Sequence, residues 1–554
     1  MRKQKRLRKM RGKWGPLTLS LVMAAGLLSG CSGSASEGEA ENKTDKLANL
    51  NETGMPIVKE PIELTFFTGK SPTNGSKFED TLIWKTYSQM SNIQVKFNLV
   101  PFETLTEKRN LALAGGDYPD VLYSARVGSA ELARYGQQGV FIPLNDLIDK
   151  YAPNFKMLME KYPDIRKGLT MPDGNIYSLP SFYDPDLLSM LIGTPLWINQ
   201  DWLKKLGMEE PQTTEEFYKY LQAVKATDLN GNGKHDEIPF SAGGVTALID
   251  HMKGAWGLGT SGLGHKLVDV NPGTGKLRFI KTLPQYKEVL QFISKLYKEG
   301  LIDPEIFTIE GSALNAKGQA GLLGSTVVPN PETVMGRKEF TGLGALKGPH
   351  GDQLYAHVKV PMVHVGAFAI TNKDPYPEAT IRWMDYFYSD EGAKLYFMGK
   401  EGETYTSDSS GNLKYVDEIT NNPDGLTQDQ ALAKYFTWLG GSYPGFVTEK
   451  YFKGSETLPN SIAAAEKAKP YAVKNILYNF NYTPEETEVM SSIGKDIEDY
   501  TAEMEAKFIN GSASFDQWDG YVNNLKKMGL DQYMSVYQAA YDRYQAAYDR
   551  YQAE

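Results

Sequence analysis

The sequence predicts an α/β fold with a largely parallel sheet, and two observations carry that reading. Strand-like and helix-like runs alternate along residues 62–124, the pattern that builds a sheet covered by helices. The chain of 554 residues, 41% hydrophobic and 23% charged, has the balance of a folded protein and is too long for one simple core. Two large domains are therefore expected.

In chain order the first element is an address. Residues 2–13 hold eight Lys/Arg and no acid, PLTLSLVMAAGLL follows at 16–28, and LSGC ends at Cys31. A basic segment, a short apolar segment and small residues at a cleavage point make a secretory signal over residues 1–30. The apolar part is too short to span a bilayer comfortably. Small residues before a Cys at that point resemble the lipobox of bacterial lipoproteins. The resemblance implies a lipoprotein whose mature chain starts at Cys31, carries palmitate there and sits on the outer face of the cell membrane. An ordinary secretory signal with a chance Cys is the other reading. Cys31 is the only cysteine in the chain, so no intramolecular disulfide can form. Residues 31–60 are small, polar and acidic without apolar periodicity, which predicts a solvated tether.

Removing residues 1–30 takes the net charge from −9 to −17, and so acidic a body is a poor partner for nucleic acid. The body opens with IELTFFTG at 62–69 and IQVKFNLVP at 93–101, both β-branched and aromatic, bounded by Gly or Pro. Between them KFEDTLIWKTYSQMS has helical spacing. A second helix, TLTEKRNLALAGG, ends at paired glycines before the strand-like DVLYS at 120–124. Ligands of such sheets sit beyond the carboxyl ends of the strands, near residues 67–70 and 123–125. MPDGNIYSLPSFY at 171–183 reads as a hairpin around a Pro-Asp-Gly-Asn turn. Thr213 and Glu216 have capping-box spacing ahead of an apolar face formed by Phe217, Tyr220, Leu221 and Val224, so a helix should end near Thr227.

The order of AGGDYPDVLYS, FIPLNDLIDKY, DGNIYSLP, LWINQDWLKKLG, an acidic loop ending DEIPF, and GKEGETYT resembles the large solute-binding lipoproteins of bacterial ABC importers. Within that family 1 type, the oligosaccharide-binding and alginate-binding proteins are the nearest in pattern. The resemblance implies a two-lobed periplasmic-binding-protein-like fold of type II, with a hinge and a ligand cleft between the lobes. It places lobe one at 61–182 with 360–430, and lobe two at 183–359 with 431–554. Its implied partners are an oligosaccharide, ABC permease subunits and, through lipid, the membrane, with the protein a monomer.

DLNGNGKHDE, from Asp228 to Glu237, spaces oxygen ligands as a calcium loop does. Asp228, Asn230, Asn232, Asp236 and Glu237 offer side chains, Lys234 a backbone carbonyl, and Gly233 the sharp turn at position 6. Position 12 is Pro239 instead of the acid of a full EF-hand. Alginate-binding relatives carry Ca²⁺ in a shortened loop of this type, which supports a structural Ca²⁺. An Asx-rich turn without metal is the alternative.

No other chemistry has comparable support. GLGTSG at 257–262 lacks the strand and acid of a dinucleotide fingerprint, and the six histidines contain no HExxH pair. Thirty-three Tyr, 23 Phe and 8 Trp suit sugar rings, whose C–H faces pack on aromatic planes. Loop placement singles out Tyr183, Trp256, Tyr405, Trp438 and Tyr443, with Tyr123 at a strand end. Asp184, Asp186, Glu401 and Glu403 are their polar companions. Thr483, Pro484 and Glu486 start a helix that Gly511 stops. The terminal YQAAYDR repeat predicts a frayed helix with Tyr537, Tyr544 and Tyr551 on one stripe. The expected function is capture of an oligosaccharide for an ABC transporter by cleft closure, without catalysis. A surface-anchored polysaccharide hydrolase, or the same receptor with a peptide ligand, are the competing readings.

Overall fold

In a computed structural model the protein is described over residues 46–71, 74, 77–426, 428–437 and 443–553, without the side chains of residues 429 and 547–553. Cys31 and Trp438 lie outside the described residues, as does the side chain of Tyr551. The chain divides into Met1–Ala48 and a compact unit Asn49–Glu554, and the sheets belong to the second.

Among the described residues fourteen short strands occur in the order β1 (Ile62–Lys70), β2 (Ile93–Pro101), β3 (Val121–Val127), β4 (Leu179–Tyr183), β5 (Leu196–Asn199), β6 (Ile238–Ala242), β7 (Val268–Val270), β8 (Leu277–Phe279), β9 (Leu323–Val327), β10 (Phe340–Gly342), β11 (Met362–Ile370), β12 (Tyr405–Ser407), β13 (Leu413–Tyr415) and β14 (Gly445–Val447). Ten of them build two sheets, ordered β14-β4-β11-β3-β1-β2 and β10-β5-β9-β6. β1 runs parallel to β2 and β3 as the alternation predicts. β2 alternates buried and exposed because it is an edge strand with one wet face, whereas β3 is buried along nearly its whole length.

The directions of these strands decide which edge matters. β11 is antiparallel to β3 and to β4, and β14 is parallel to β4. The carboxyl ends of β1, β2, β3, β4 and β14 and the amino end of β11 therefore share one edge. In the second sheet β5 is antiparallel to β9 and β6 is parallel to β9, so the carboxyl ends of β6 and β9 share an edge with the start of β5. The chain leaves the first sheet at the end of β4, enters the second at the start of β5, and returns to β11. The carboxyl edges of the two sheets are thus the edges joined by the crossings.

The helix Thr214–Ala226 forms as expected, with the Thr213 hydroxyl accepting from the Glu216 N–H and the Glu216 carboxylate accepting in return. Three expectations are corrected. The 171–183 segment makes its turn, with Met171 N–H donating to the Asn175 carbonyl at 2.8 Å, but β4 pairs with β11 and β14 and forms no hairpin. The 431–554 segment is not wholly second-lobe, because β14 hydrogen-bonds into the first sheet. The terminal helix Leu530–Ala553 is docked: Tyr533, Tyr537, Ala540 and Tyr544 are buried, and the Arg543 guanidinium pairs with Glu486. The preceding helical stretch starts on the Thr483–Glu486 box and stops at Gly511 (φ +84°), with a π-turn at Met490–Gly494 that resets its face. No described helix is long and apolar enough to cross a membrane.

Candidate functional site

The crossings lie side by side at the shared edge. Tyr183 N–H donates to the Pro361 carbonyl at 2.8 Å, Lys359 N–H to the Leu191 carbonyl at 2.9 Å, and Asp184 N–H to the Val447 carbonyl at 2.9 Å. The stretches around 183–193, 359–361 and 447 are therefore zipped together by backbone bonds. Gly193 sits here at φ +67°, a backbone conformation that residues with a Cβ rarely adopt. Close to this band two imidazoles stack, His251 on His357, with centroids 4.2 Å apart. Both reach Thr194 on the first crossing: His251 Nε2 lies 3.0 Å from its carbonyl and His357 Nε2 lies 2.9 Å from its hydroxyl. Loss of water around the stacked rings lowers both pKa values, that of His251 to about 4, so at neutral pH the pair is uncharged and can pack.

The residues singled out from sequence separate into two groups. Tyr183, itself 6% exposed, and Asp184 stand at the first crossing, where the Asp184 carboxylate accepts from the Tyr162 hydroxyl at 3.2 Å and from Asp186 N–H at 3.1 Å. Tyr123 and Tyr443 are corrected to core positions, 1% and 0% exposed. Tyr443 stacks on Tyr396 at 4.0 Å and donates its hydroxyl to the Phe446 carbonyl, while Tyr123 packs among Phe66, Trp84 and Trp383. Burial holds both phenols far above their ordinary pKa. Trp256 and Tyr405 also have covered rings. Trp256 packs on Phe292 and donates to Glu288 at 3.1 Å, and Lys394 lies over Tyr405. Glu401 is exposed and accepts from the Ser407 hydroxyl, and Glu403 lies 3.7 Å from Lys400.

At the carboxyl edge of the first sheet lies a group that sequence reasoning missed. The exposed Arg126 guanidinium stands over the Phe102 ring, 4.6 Å from its centroid. Phe102 can lie there only because residue 69 has no side chain, a Cβ on Gly69 falling 2.2 Å from the ring. Ser124 and Arg126 adopt positive φ, +46° and +55°, inside β3. No residue pattern signals such a conformation in advance, because neither residue is Gly, Asn or Asp.

The 228–237 loop has the curled form that its spacing predicts. Asp228 accepts from Gly231 N–H and Gly233 N–H, one per carboxylate oxygen, each at 2.8 Å. Asn230 and Asn232 accept from Asn232 N–H and Lys234 N–H, and both amides donate to Asp236, which lowers its pKa. Gly233 makes the turn at φ +79°. Glu237 is 8% exposed; its Oε1 accepts from Leu229 and Asn230 N–H, and its Oε2 is buried without a partner. Among the described residues no three His, Cys, Asp or Glu side chains form a metal cluster, so any cation here depends on the Asn amides and a backbone carbonyl. The unpartnered buried oxygen of Glu237 and the Asx oxygens of the same loop are donors of the kind a hard cation takes.

Residues 70–394 match the family model of bacterial extracellular solute-binding proteins. The chain belongs to that family. It is 30% identical, over 96% of its length and 99% of the other chain, to the fructooligosaccharide ABC transporter substrate-binding protein FusA of Streptococcus pneumoniae serotype 4 (strain ATCC BAA-334 / TIGR4). It is 23% identical, over 96% and 99%, to lipoprotein LipO of Bacillus subtilis (strain 168). The FusA complex with kestose superposes with TM-score 0.71 at 28% identity, covering 88% of this chain and all of that one. An EF-hand mutant of FusA, with fructo-nystose, gives 0.70 at 28% identity, again over 88% and 100%. Alginate-binding protein AlgQ2 without calcium ion gives 0.68 at 25% identity, over 88% and 99%. The α/β, two-lobed periplasmic-binding-protein-like fold follows from this likeness, and the chain's place among binding proteins displaces the hydrolase reading.

Proposed function

We propose that this solute-binding protein captures an oligosaccharide between its two lobes and hands it to an ABC permease. The observation that carries the reading is the arrangement of the sheets: two carboxyl edges joined by the crossings, where a ligand bound by both halves favours the closed state. The overall likeness to FusA, a fructooligosaccharide-binding protein solved with kestose, supports a sugar as that ligand. Tyr183 and Asp184, at the first crossing, are the candidates from sequence that remain near that edge. Lobe one takes residues 61–182 with 360–453, where Lys450 and Tyr451 bind Asp390 and Phe452 packs on Phe397, and lobe two takes 183–359 with 454–554. Calorimetry with kestose, nystose and trigalacturonate tests the reading. Stoichiometric binding of at least one without product formation is expected, and absence of heat with all three, or turnover, would overturn it.

Two further features belong to this proposal. Asp228, Asn230, Asn232, the Lys234 carbonyl, Asp236 and Glu237 would hold one Ca²⁺, a structural ion that cross-links the end of the 214–226 helix to β6. The LSGC motif at Cys31 and the lipoprotein relative support lipid anchorage on the extracytoplasmic face. Cys31→Ser should release the protein into the medium; a variant retained on the membrane would sink that assignment.

A further inference from the structure

We propose that Arg126 contacts the ligand at the carboxyl edge of the six-stranded sheet, its guanidinium fork taking a pair of oxygen acceptors. That pair is either two neighbouring hydroxyls of a neutral sugar or the carboxylate of an acidic one, since both present two oxygens at a spacing the planar fork can meet. The proposal deepens the oligosaccharide reading and rests on it.

Position is the first argument. β3 ends at Val127, so Arg126 lies at the carboxyl edge of the sheet, the edge from which the chain crosses to the second sheet. Charge is the second. Arg126 is exposed, yet among the described residues no carboxylate lies within ion-pair distance of it, and no hydrogen bond satisfies its guanidinium. The Lys70 carbonyl accepts from Phe102 N–H at 3.2 Å, which fixes the start of the Phe102 segment at the end of β1.

Construction is the third argument. The Arg126 backbone is held at positive φ by a buried arginine on the neighbouring helix. Arg109, 3% exposed, donates from Nη1 to the carbonyls of Ala125 and Arg126, and from Nη2 to both oxygens of Glu131 at 2.7 Å. Glu131 in turn accepts from Gly128 N–H at 3.1 Å. A buried arginine, charge-paired to the partly exposed Glu131, thus directs its hydrogen bonds at two carbonyls of an irregular strand end. Strained backbone persists where the surroundings over-determine it, and such places are drawn disproportionately from ligand sites. Phe102, seated on Gly69, completes the arrangement by placing its ring beneath the guanidinium. The buried Ser124 hydroxyl, without a partner, lies two residues away.

The test is calorimetry of the wild type, R126Q and R126K with kestose and with trigalacturonate, alongside melting temperatures. R126Q should bind the preferred probe at least about tenfold more weakly, a difference near 1.4 kcal/mol, with its melting temperature unchanged because the side chain is exposed. R126K should recover only part of the loss, since an ammonium lacks the planar fork. A loss confined to kestose identifies the hydroxyl pair, and one confined to trigalacturonate identifies the carboxylate. R126Q that binds within twofold of wild type overturns this proposal alone. Wild-type protein that binds neither sugar overturns the oligosaccharide reading and this proposal with it.

Discussion

Asp374 sits beside β11 with one carboxylate oxygen accepting from Tyr376 N–H at 2.7 Å and the other buried without a partner. Burial raises its pKa to about 7 from an ordinary 3.8, with Asp120 and Glu378 adding to the effect. A folded-state pKa raised above the unfolded one gives stability that is complete below about pH 4 and is lost as pH rises through about 7. Asp374→Asn cannot ionise, so it should melt above the wild type at pH 8 and alongside it near pH 4. Equal melting temperatures at pH 8 would show that the fold does not raise the pKa of this carboxyl. The same scale explains why Tyr123 and Tyr443 mislead a reader of sequence. A buried tyrosine is indistinguishable from a sugar platform until its hydroxyl is traced, and that of Tyr443 ends on the Phe446 carbonyl.

Among the elements, the 228–237 loop is the most legible. Its form follows from local rules, since Asx side chains cap the N–H groups two to five residues on and glycine takes positive φ. Chelation should lower the melting temperature by about 2–5 °C if a cation binds the folded state only. Glu237→Gln, which keeps the shape but removes the charge behind the unpartnered Oε2, should reduce that shift. Identical melting with and without chelator would leave the loop an ordinary turn. β1, β2, β3 and the 214–226 helix were legible for a similar reason, each announcing itself by alternation or by a capping box. β14 was not, because Gly-Phe-Val is too short to carry a period and its partner, β4, lies far earlier in the chain. Arg126 was hidden for a different reason: its presentation depends on Arg109 and Gly69, remote in sequence and individually ordinary.

Across the whole molecule, the crossings and the histidine pair beside them couple the lobes. His251 has a folded-state pKa of about 4, below its ordinary 6.5, so its contribution is present above about pH 6.5 and lost as pH falls through about 4. Asp250 favours its protonation, whereas Lys253 opposes it and Lys253 with Lys359 opposes that of His357. His251→Gln can still donate to the Thr194 carbonyl but cannot gain charge. Its melting temperature should fall less than that of the wild type between pH 6.5 and 4. Parallel acid limbs for the two proteins would mean that the pair does not set the acid stability of the crossings.

The band of crossings also makes covalent continuity redundant. A single cut at Gly351, exposed between β10 and β11, would leave two pieces, one carrying β1–β10 and the other β11–β14. The first piece alone holds strands of both sheets, while β11 and β14 of the second remain hydrogen-bonded on either side of β4. Neither piece is a lobe, so separating them means pulling strands out of a sheet. A protein nicked there by a protease should run as two bands on a denaturing gel and elute as one particle from a sizing column. Two expressed fragments split at the same point should reassemble. Dissociation of the nicked form would mean that the peptide bond, and not the interwoven sheets, holds the molecule together.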